Sequence, residues 1–106
     1  MRSGARGGRE SLVVHLVTRS EPGPIVGFVV SKAIGNAVAR NKVKRRLRAL
    51  VRDRLEAMPS RAGVVVRALA PAASAGYVAL GKDLDAALKM AERREHRLRR
   101  EEPVIP

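Results

Sequence analysis

The residues whose types and spacing could do chemistry lie between Lys32 and Arg52. Lys32, Arg40, Lys42, Lys44, Arg45, Arg46, Arg48 and Arg52 are interspersed there with Asn36 and Asn41. At about 100° per residue, Asn41, Arg45, Arg48 and Arg52 fall within roughly a quarter of a helical wheel, opposite Val43, Leu47, Leu50 and Val51. Arg40, Lys42, Lys44 and Arg46 flank them. One side of such a helix is core and the other is a band of guanidinium and amide groups. A guanidinium fork can pair with a phosphate through two parallel hydrogen bonds, whereas lysine acts as a point charge. Asn41 adds a donor and an acceptor suited to a base edge or a ribose hydroxyl. Most of the charge sits in the first three turns, where the helix macrodipole favours anions and disfavours cations. Arginines placed where they help the helix least point to a compensating ligand, and the free N–H groups of a helix start also suit a phosphate. The competing reading is an ordinary solvated helix face; the two asparagines set among the arginines weigh against it.

The remaining candidates are poorer. His15 is a candidate acid or base by residue type alone but has no carboxylate or nucleophile beside it, and reads as a polar residue on a partly covered strand. His96 belongs to a charged helix end. Asp83 and Asp85 do not share one helical face and read as negative charge near a helix start. No His/Asp/Glu cluster has metal-ligand spacing. Gly76 and Gly81 do not form a phosphate-binding loop. Phe28 and Tyr77 read as core, and Arg67 as facing solvent or RNA. No catalytic residue and no metal ligand is therefore assigned, and no small-molecule substrate is expected.

The bulk composition agrees with a phosphate-rich partner. Lys and Arg number 22 against 10 acids, a net charge of +12 in 106 residues. Such a charge repels itself in the compact state and favours a polyanion, nucleic acid first and an anionic membrane second. No apolar run reaches the roughly 18 residues that a membrane span requires, and the basic, Gly-rich start lacks the apolar stretch of a secretory signal; no membrane partner is expected. Cysteine is absent, which excludes disulfides and thiolate metal sites and is compatible with a cytoplasmic setting. With 45% hydrophobic residues in periodic order, the chain should fold rather than remain disordered.

The elements that must position the basic band can be read in turn. Residues 1–10 read as a flexible basic arm. Residues 12–17 form a short, mostly β-branched run typical of a strand. Pro22, Gly23 and Pro24 signal a turn, and 25–31 form a second strand. Their close spacing suggests an antiparallel hairpin. Gly35 and Asn36 then break the chain, with Asn36 suited to cap a helix over about 37–57 whose apolar stripe is Val43, Leu47, Leu50, Val51, Leu55 and Met58. Residues 63–69 form a third strand. A second helix runs over about 77–100, with Leu80, Leu84, Ala87, Leu88 and Ala91 inward and its last charged turns in solvent. The expectation is one domain over 1–106, folded over 11–100, with a tail at 101–106. The order is β-β-α-β-α, an α+β fold with helices packed on a small sheet.

The segment from Gly27 to Lys32, followed by Gly35-Asn36-Ala37-Val38, Arg40-Asn41, Lys44-Arg45 and Arg48, resembles the signature of the bacterial ribonuclease P protein subunit. The likeness runs from about Leu12 to about Leu98 and is most specific over 27–52. It implies a non-catalytic protein partner of a catalytic RNA that removes the 5′ leader from precursor tRNA with magnesium, the magnesium being held in the RNA and no cofactor by the protein. It implies a left-handed crossover between parallel strands, where general topology rules favour the right-handed form. It implies RNA contacts at Lys32, Asn36, Arg40, Asn41, Lys42, Lys44, Arg45, Arg48 and Arg52. It further implies a leader cleft on the sheet involving His15, where the family tends to place an aromatic, together with Val13, Val29 and Ser31. The sequence departs from the pattern at three points. The motif's third residue is Lys42, and Ala33 stands where a second lysine is common. The basic helical segment that the family carries before its first strand is expected to be missing. The alternative function is a structural RNA-binding protein such as a small ribosomal component. A self-sufficient nuclease is disfavoured.

Overall fold

The computed structural model describes residues 5–19, 21–58 and 61–101, with the backbone alone for 98–101. Strands β1 (Ala5–Gly8), β2 (Leu12–Thr18), β3 (Ile25–Val29) and β4 (Ala62–Ala68) form one sheet in the order β1-β2-β4-β3. Helix α1 (Ala37–Arg52) joins β3 to β4, and α2 (Tyr77–Glu101) follows β4. Short 3-10 turns occupy Lys32–Ile34, Leu55–Ala57 and Ala70–Ala73. The fold is α+β with helices on a small sheet, as the sequence predicts.

Three expectations are corrected. The arm is not flexible over its described part: Ala5–Gly8 is an edge strand antiparallel to β2, pairing Ala5 with Leu16 and Gly8 with Val13. The order along the chain is therefore β-β-β-α-β-α. The hairpin is also absent. β4 lies between β2 and β3, antiparallel to the first and parallel to the second. Pro22 and Pro24 preclude the tight two-residue turn that closes a hairpin, since both central positions of its commonest form need positive φ; instead Arg19 Nη1 donates to the Gly23 carbonyl at 2.7 Å. Finally, α1 ends at Arg52 rather than near Ala57, so Leu55 leaves the apolar stripe and is 37% exposed. The expected tail beyond Glu101 and the first four residues of the arm lie outside the described residues.

Strand alternation sorts the side chains. Leu12, Val14 and Leu16 of β2 and Ala62, Val64, Val66 and Ala68 of β4 are buried against Val43, Leu47, Leu50 and Val51 of α1 and Leu80, Leu84, Ala87, Leu88 and Ala91 of α2. Val26 and Phe28 pack at its edge. Both helices thus cover the same face of the sheet. Each fully buried leucine contributes about 1.5–3 kcal/mol over exposure.

Two polar clasps fix α2 along β2. Ser11 donates to Asp83 Oδ2 through its N–H (3.2 Å) and its hydroxyl (2.6 Å), and the Thr18 hydroxyl donates to Glu95 at 2.9 Å. Because Ser11 meets Asp83 and Thr18 meets Glu95, α2 runs in the direction of β2. Glu95 is buried, although its turn of helix reads as solvated in the sequence. β1 is held by the same helix at backbone contact: a Cβ on Gly7 would lie 2.2 Å from the Ala87 carbonyl oxygen and 2.9 Å from the Ala91 nitrogen. Arg94 Nη1 also donates to the Arg6 carbonyl at 2.7 Å.

Gly7→Ala should lower unfolding stability by about 1–3 kcal/mol, the usual range for overpacking, and raise amide exchange along β1 and the facing half of β2. Urea unfolding and hydrogen exchange check this; unchanged protection of β1 would show that the strand does not depend on the contact.

Candidate nucleic-acid interface

The basic band forms as the helical wheel implies. Asn36 caps α1, its Oδ1 accepting from the Ala39 N–H at 2.9 Å. Gly35 precedes it at φ 143, in the left-handed half of backbone space that a side chain would strain. Ahead of it, Ser31 caps the 3-10 turn by accepting from the Ala33 N–H at 3.3 Å, leaving Lys32 exposed at the entry to α1. Along α1, Asn41, Arg45, Arg48 and Arg52 are all exposed, and Val43, Leu47, Leu50 and Val51 are buried behind them. Lys42 is exposed on one flank; Lys44 and Arg40 are half-buried. From Pro22 to Arg52 the sequence contains no acid. Every cation near the start of α1 therefore meets the positive end of the helix dipole without a carboxylate to offset it, at about 0.3–1 kcal/mol each.

The guanidinium groups differ in availability. Arg46 donates to the Ala75 carbonyl at 3.1 Å and anchors α1 to the loop before α2. Arg54 grips both oxygens of Asp85, with Nη2 to Oδ2 at 3.1 Å, and donates to the Leu50 carbonyl at 2.7 Å. The hydrogen bond from Arg54 holds the Asp85 carboxyl below its ordinary range, and the reciprocal bond raises Arg54. Asp83 and Asp85 thus serve as tertiary fasteners rather than as helix-start charges. Arg40 Nε is buried with no hydrogen-bond partner among the described residues, an arrangement that costs on the order of 1–3 kcal/mol.

A second candidate surface is the uncovered face of the sheet. Its cross-strand rows are read directly from the register: Arg6, His15, Val65 and Gly27 in one, and Gly8, Val13, Arg67 and Val29 in the next. Val13, His15 and Val29 therefore share a face, as alternation implies. A shallow cavity at this end is lined by Arg6, Val13, His15, Ser31, Ala33 and Arg67. The cleft candidates except Val29 line it directly, and Val29 pairs with Arg67. Ala33 is part of the wall, so the position without a second lysine faces the cavity. Arg67 is exposed on this face. Arg6 was missed, because a Gly-rich segment gives no alternation from which its strand could be read. Phe28 sits on the covered side, while Tyr77 is 42% exposed at the start of α2 rather than buried.

Comparison with known proteins follows the same lines. A family model described as Ribonuclease P matches residues 1–92. The ribonuclease P protein component of Streptomyces bikiniensis is 53% identical over 98 residues, covering 84% of this chain and 80% of its own length. That of a Nocardioides species is 52% identical over 92 residues, covering 83% and 78%. Among solved structures, the RNase P protein of Staphylococcus aureus superposes with a TM-score of 0.75 at 28% identity, covering 84% of this chain and 82% of that one. The fold also matches the RNase P protein of Thermotoga maritima, with a TM-score of 0.71 at 23% identity.

Substitutions at two positions test the local structure. Asn36→Ala should destabilise the protein by about 1 kcal/mol through loss of the cap, whereas Asn36→Asp should keep the cap and weaken RNA binding through its charge; thermal unfolding and RNA titration separate them. Asp85→Asn should cost less than about 1 kcal/mol near neutrality, being a partly exposed pair. Since the folded carboxyl lies below its unfolded value, the parent's advantage is present above the unfolded pKa and disappears as pH falls through the folded one. A parent–variant gap that persisted in strong acid would assign the effect elsewhere.

Proposed function

This chain belongs to the ribonuclease P protein family, and from that premise we propose that it is the RNA-binding subunit of a tRNA-processing endoribonuclease whose chemistry resides in its RNA. The observation that carries the reading is the single exposed face of Asn41, Arg45, Arg48 and Arg52 on α1, with no carboxylate among them. This face binds the catalytic RNA. Arg45, Arg48 and Arg52 take phosphates through their forks, Asn41 reads a ribose hydroxyl or base edge, and Lys32, Lys42 and Lys44 widen the positive field. Asn36 orders the helix start beside the phosphate. Half-buried Arg40, whose Nε has no partner among the described residues, gains one when RNA draws its head outward.

The open sheet face holds the 5′ leader of the precursor tRNA. Arg6 and Arg67 supply charge at the cavity, Val13 and Val29 supply apolar contact for sugars, and His15 offers its ring to a base. The protein's contribution to cleavage is then electrostatic. Two phosphate backbones, catalytic RNA and substrate, must approach one another, and the cations on α1 and on the sheet replace counter-ions that would otherwise be condensed there. Less magnesium is needed to bring the strands together, and magnesium itself is held by RNA oxygens. Several acids around the two surfaces are engaged in the fold, Asp83 with Ser11, Asp85 with Arg54 and Glu95 with Thr18, which fits a positioning role for this chain.

Reconstitution with the catalytic RNA at low magnesium tests the reading. The protein should stimulate removal of the leader from precursor tRNA. Arg45→Ala and Arg48→Ala should each reduce the salt slope of RNA binding by about one, and Arg67→Ala should weaken precursor binding more than mature tRNA binding. Absent stimulation, or an unchanged slope in both α1 variants, would overturn it.

A further inference from the structure

The outer face of α2 carries a second basic stripe that neither the α1 face nor the sheet cleft uses. At about 100° per residue, Lys82, Lys89 and Arg93 fall within roughly 40° of one another, directly opposite the buried Leu80, Leu84, Ala87 and Ala91. All three are exposed. Arg9, from the turn between β1 and β2, joins them across a groove whose walls also include Asp85, Ala86 and Met90. Four cations face the single carboxylate of the groove, so the carboxylates nearby offset this charge only in part. Asp85 is gripped by Arg54. Glu92 is half-buried and lies about 80° around the helix, on the same side as Asp85.

We propose that this stripe is a second RNA-docking surface, which takes a phosphate backbone separate from those held by α1 and by the sheet. The proposal rests on the reading of the chain as a ribonuclease P subunit. Its argument is charge complementarity joined to placement. Lys82 and Arg93 are about 16 Å apart along the axis, a span that covers several consecutive phosphates of a strand. The apolar floor formed by Ala86 and by Met90, which is half-buried, suits sugar edges between those phosphates. Because α2 packs on the covered side of the sheet, its outer face points away from the open face, so one strand in the cleft cannot also lie along it. The line where α1 meets α2, with Gly81 against Leu50 and Arg54 against Asp85, separates it from the α1 band. The protein is thereby a bridge between RNA segments, not a one-sided cap on a single segment. This also accounts for the basic character of a helix whose inner face alone satisfies the fold.

The test compares three variants of the full chain bound to the catalytic RNA over a range of salt concentrations. Lys82→Ala/Lys89→Ala/Arg93→Ala should weaken binding and lower the salt slope by about 2–3, one partial charge release for each lost phosphate contact. Hydroxyl-radical footprinting should show protection lost from an RNA segment other than the one lost with Arg45→Ala/Arg48→Ala. The charge-conserving variant Lys82→Arg/Lys89→Arg/Arg93→Lys should keep the parental slope, which separates charge from helix damage. An unchanged slope in the α2 variant, alongside a reduced one in the α1 variant, overturns the second surface and leaves the proposed function intact. Unchanged slopes in both overturn both. Loss of the same RNA segment by both variants overturns the bridge, as does a weakened charge-conserving variant. An acidic protein that competes for the stripe while RNA binding is indifferent to it would identify a different class of partner and overturn the assignment to RNA.

Discussion

One constraint governs this molecule: a four-stranded sheet with both helices on the same side. The apolar alternation of β2 and β4 is satisfied on that side alone. Leu12, Val14 and Leu16 meet Val64, Val66 and the two helices there, and the opposite face is left to Val13, His15, Val65 and Arg67. A small chain with a charge of +12 must keep its cations apart from its core and, as far as possible, from one another. One-sided packing provides three outward surfaces for them: the open sheet, the back of α1 and the back of α2. The separation of core from charge therefore follows from the layer arrangement.

The layers are held together by the buried leucines and valines, and their close approach and direction are set by small residues and a few polar clasps. Gly7 brings the β1 backbone against Ala87 and Ala91, and Gly81 lets Leu50 of α1 sit against α2. Ser11 and Thr18 then pin the two ends of the β2–α2 contact through Asp83 and Glu95. Close backbone approach leaves little room for substitution, and each clasp removes a carboxylate from the surface. The fasteners thus do two jobs: they order the helices, and they turn the Asp83 and Glu95 carboxylates toward β2 rather than toward the outer basic face of α2.

The parts of this design that depend on local periodicity were legible in the sequence. The α1 wheel separates Val43 and Leu47 from Arg45 and Arg48 by spacing alone, Asn36 declares the helix start by its type, and the parity of Val13, His15 and Val29 places them together. What was not legible depends on distant partners. Nothing in Ala-Arg-Gly-Gly favours a strand; Gly7 is required because α2 lies against it, some eighty residues later in the chain. The order of the sheet likewise depends on β4 entering between β2 and β3 after the helix crosses over. Glu95 falls by spacing on the buried stripe of Leu84, Leu88 and Ala91, but its own charge and that of its neighbours hid this; it is buried where Thr18 meets it. Tyr77 was misread for the opposite reason, since aromatic type suggested burial where the helix start is open.

The composition of the open face decides what kind of recognition it can perform. Phe28 and Tyr77 are the sequence's one phenylalanine and one tyrosine, tryptophan is absent, and neither aromatic lies on this face. Proteins that grip single strands by stacking gain about 1–3 kcal/mol for each base on an aromatic ring. Here the flat groups available are the His15 ring and the guanidinium planes of Arg6 and Arg67, set among valines. Binding on such a surface comes mainly from phosphate charge, with weak apolar contact to sugars, and phosphates carry no sequence information. A strand laid across it is therefore held with little regard to its bases. Under the proposed function, selectivity would come instead from geometry, from how the α1 face fixes the orientation of the protein on a structured RNA and so determines which strand end reaches the sheet. That division assigns shape recognition to the helix, whose arginine forks and Asn41 are directional, and tolerance to the sheet, whose charges are sparse and whose apolar side chains are small.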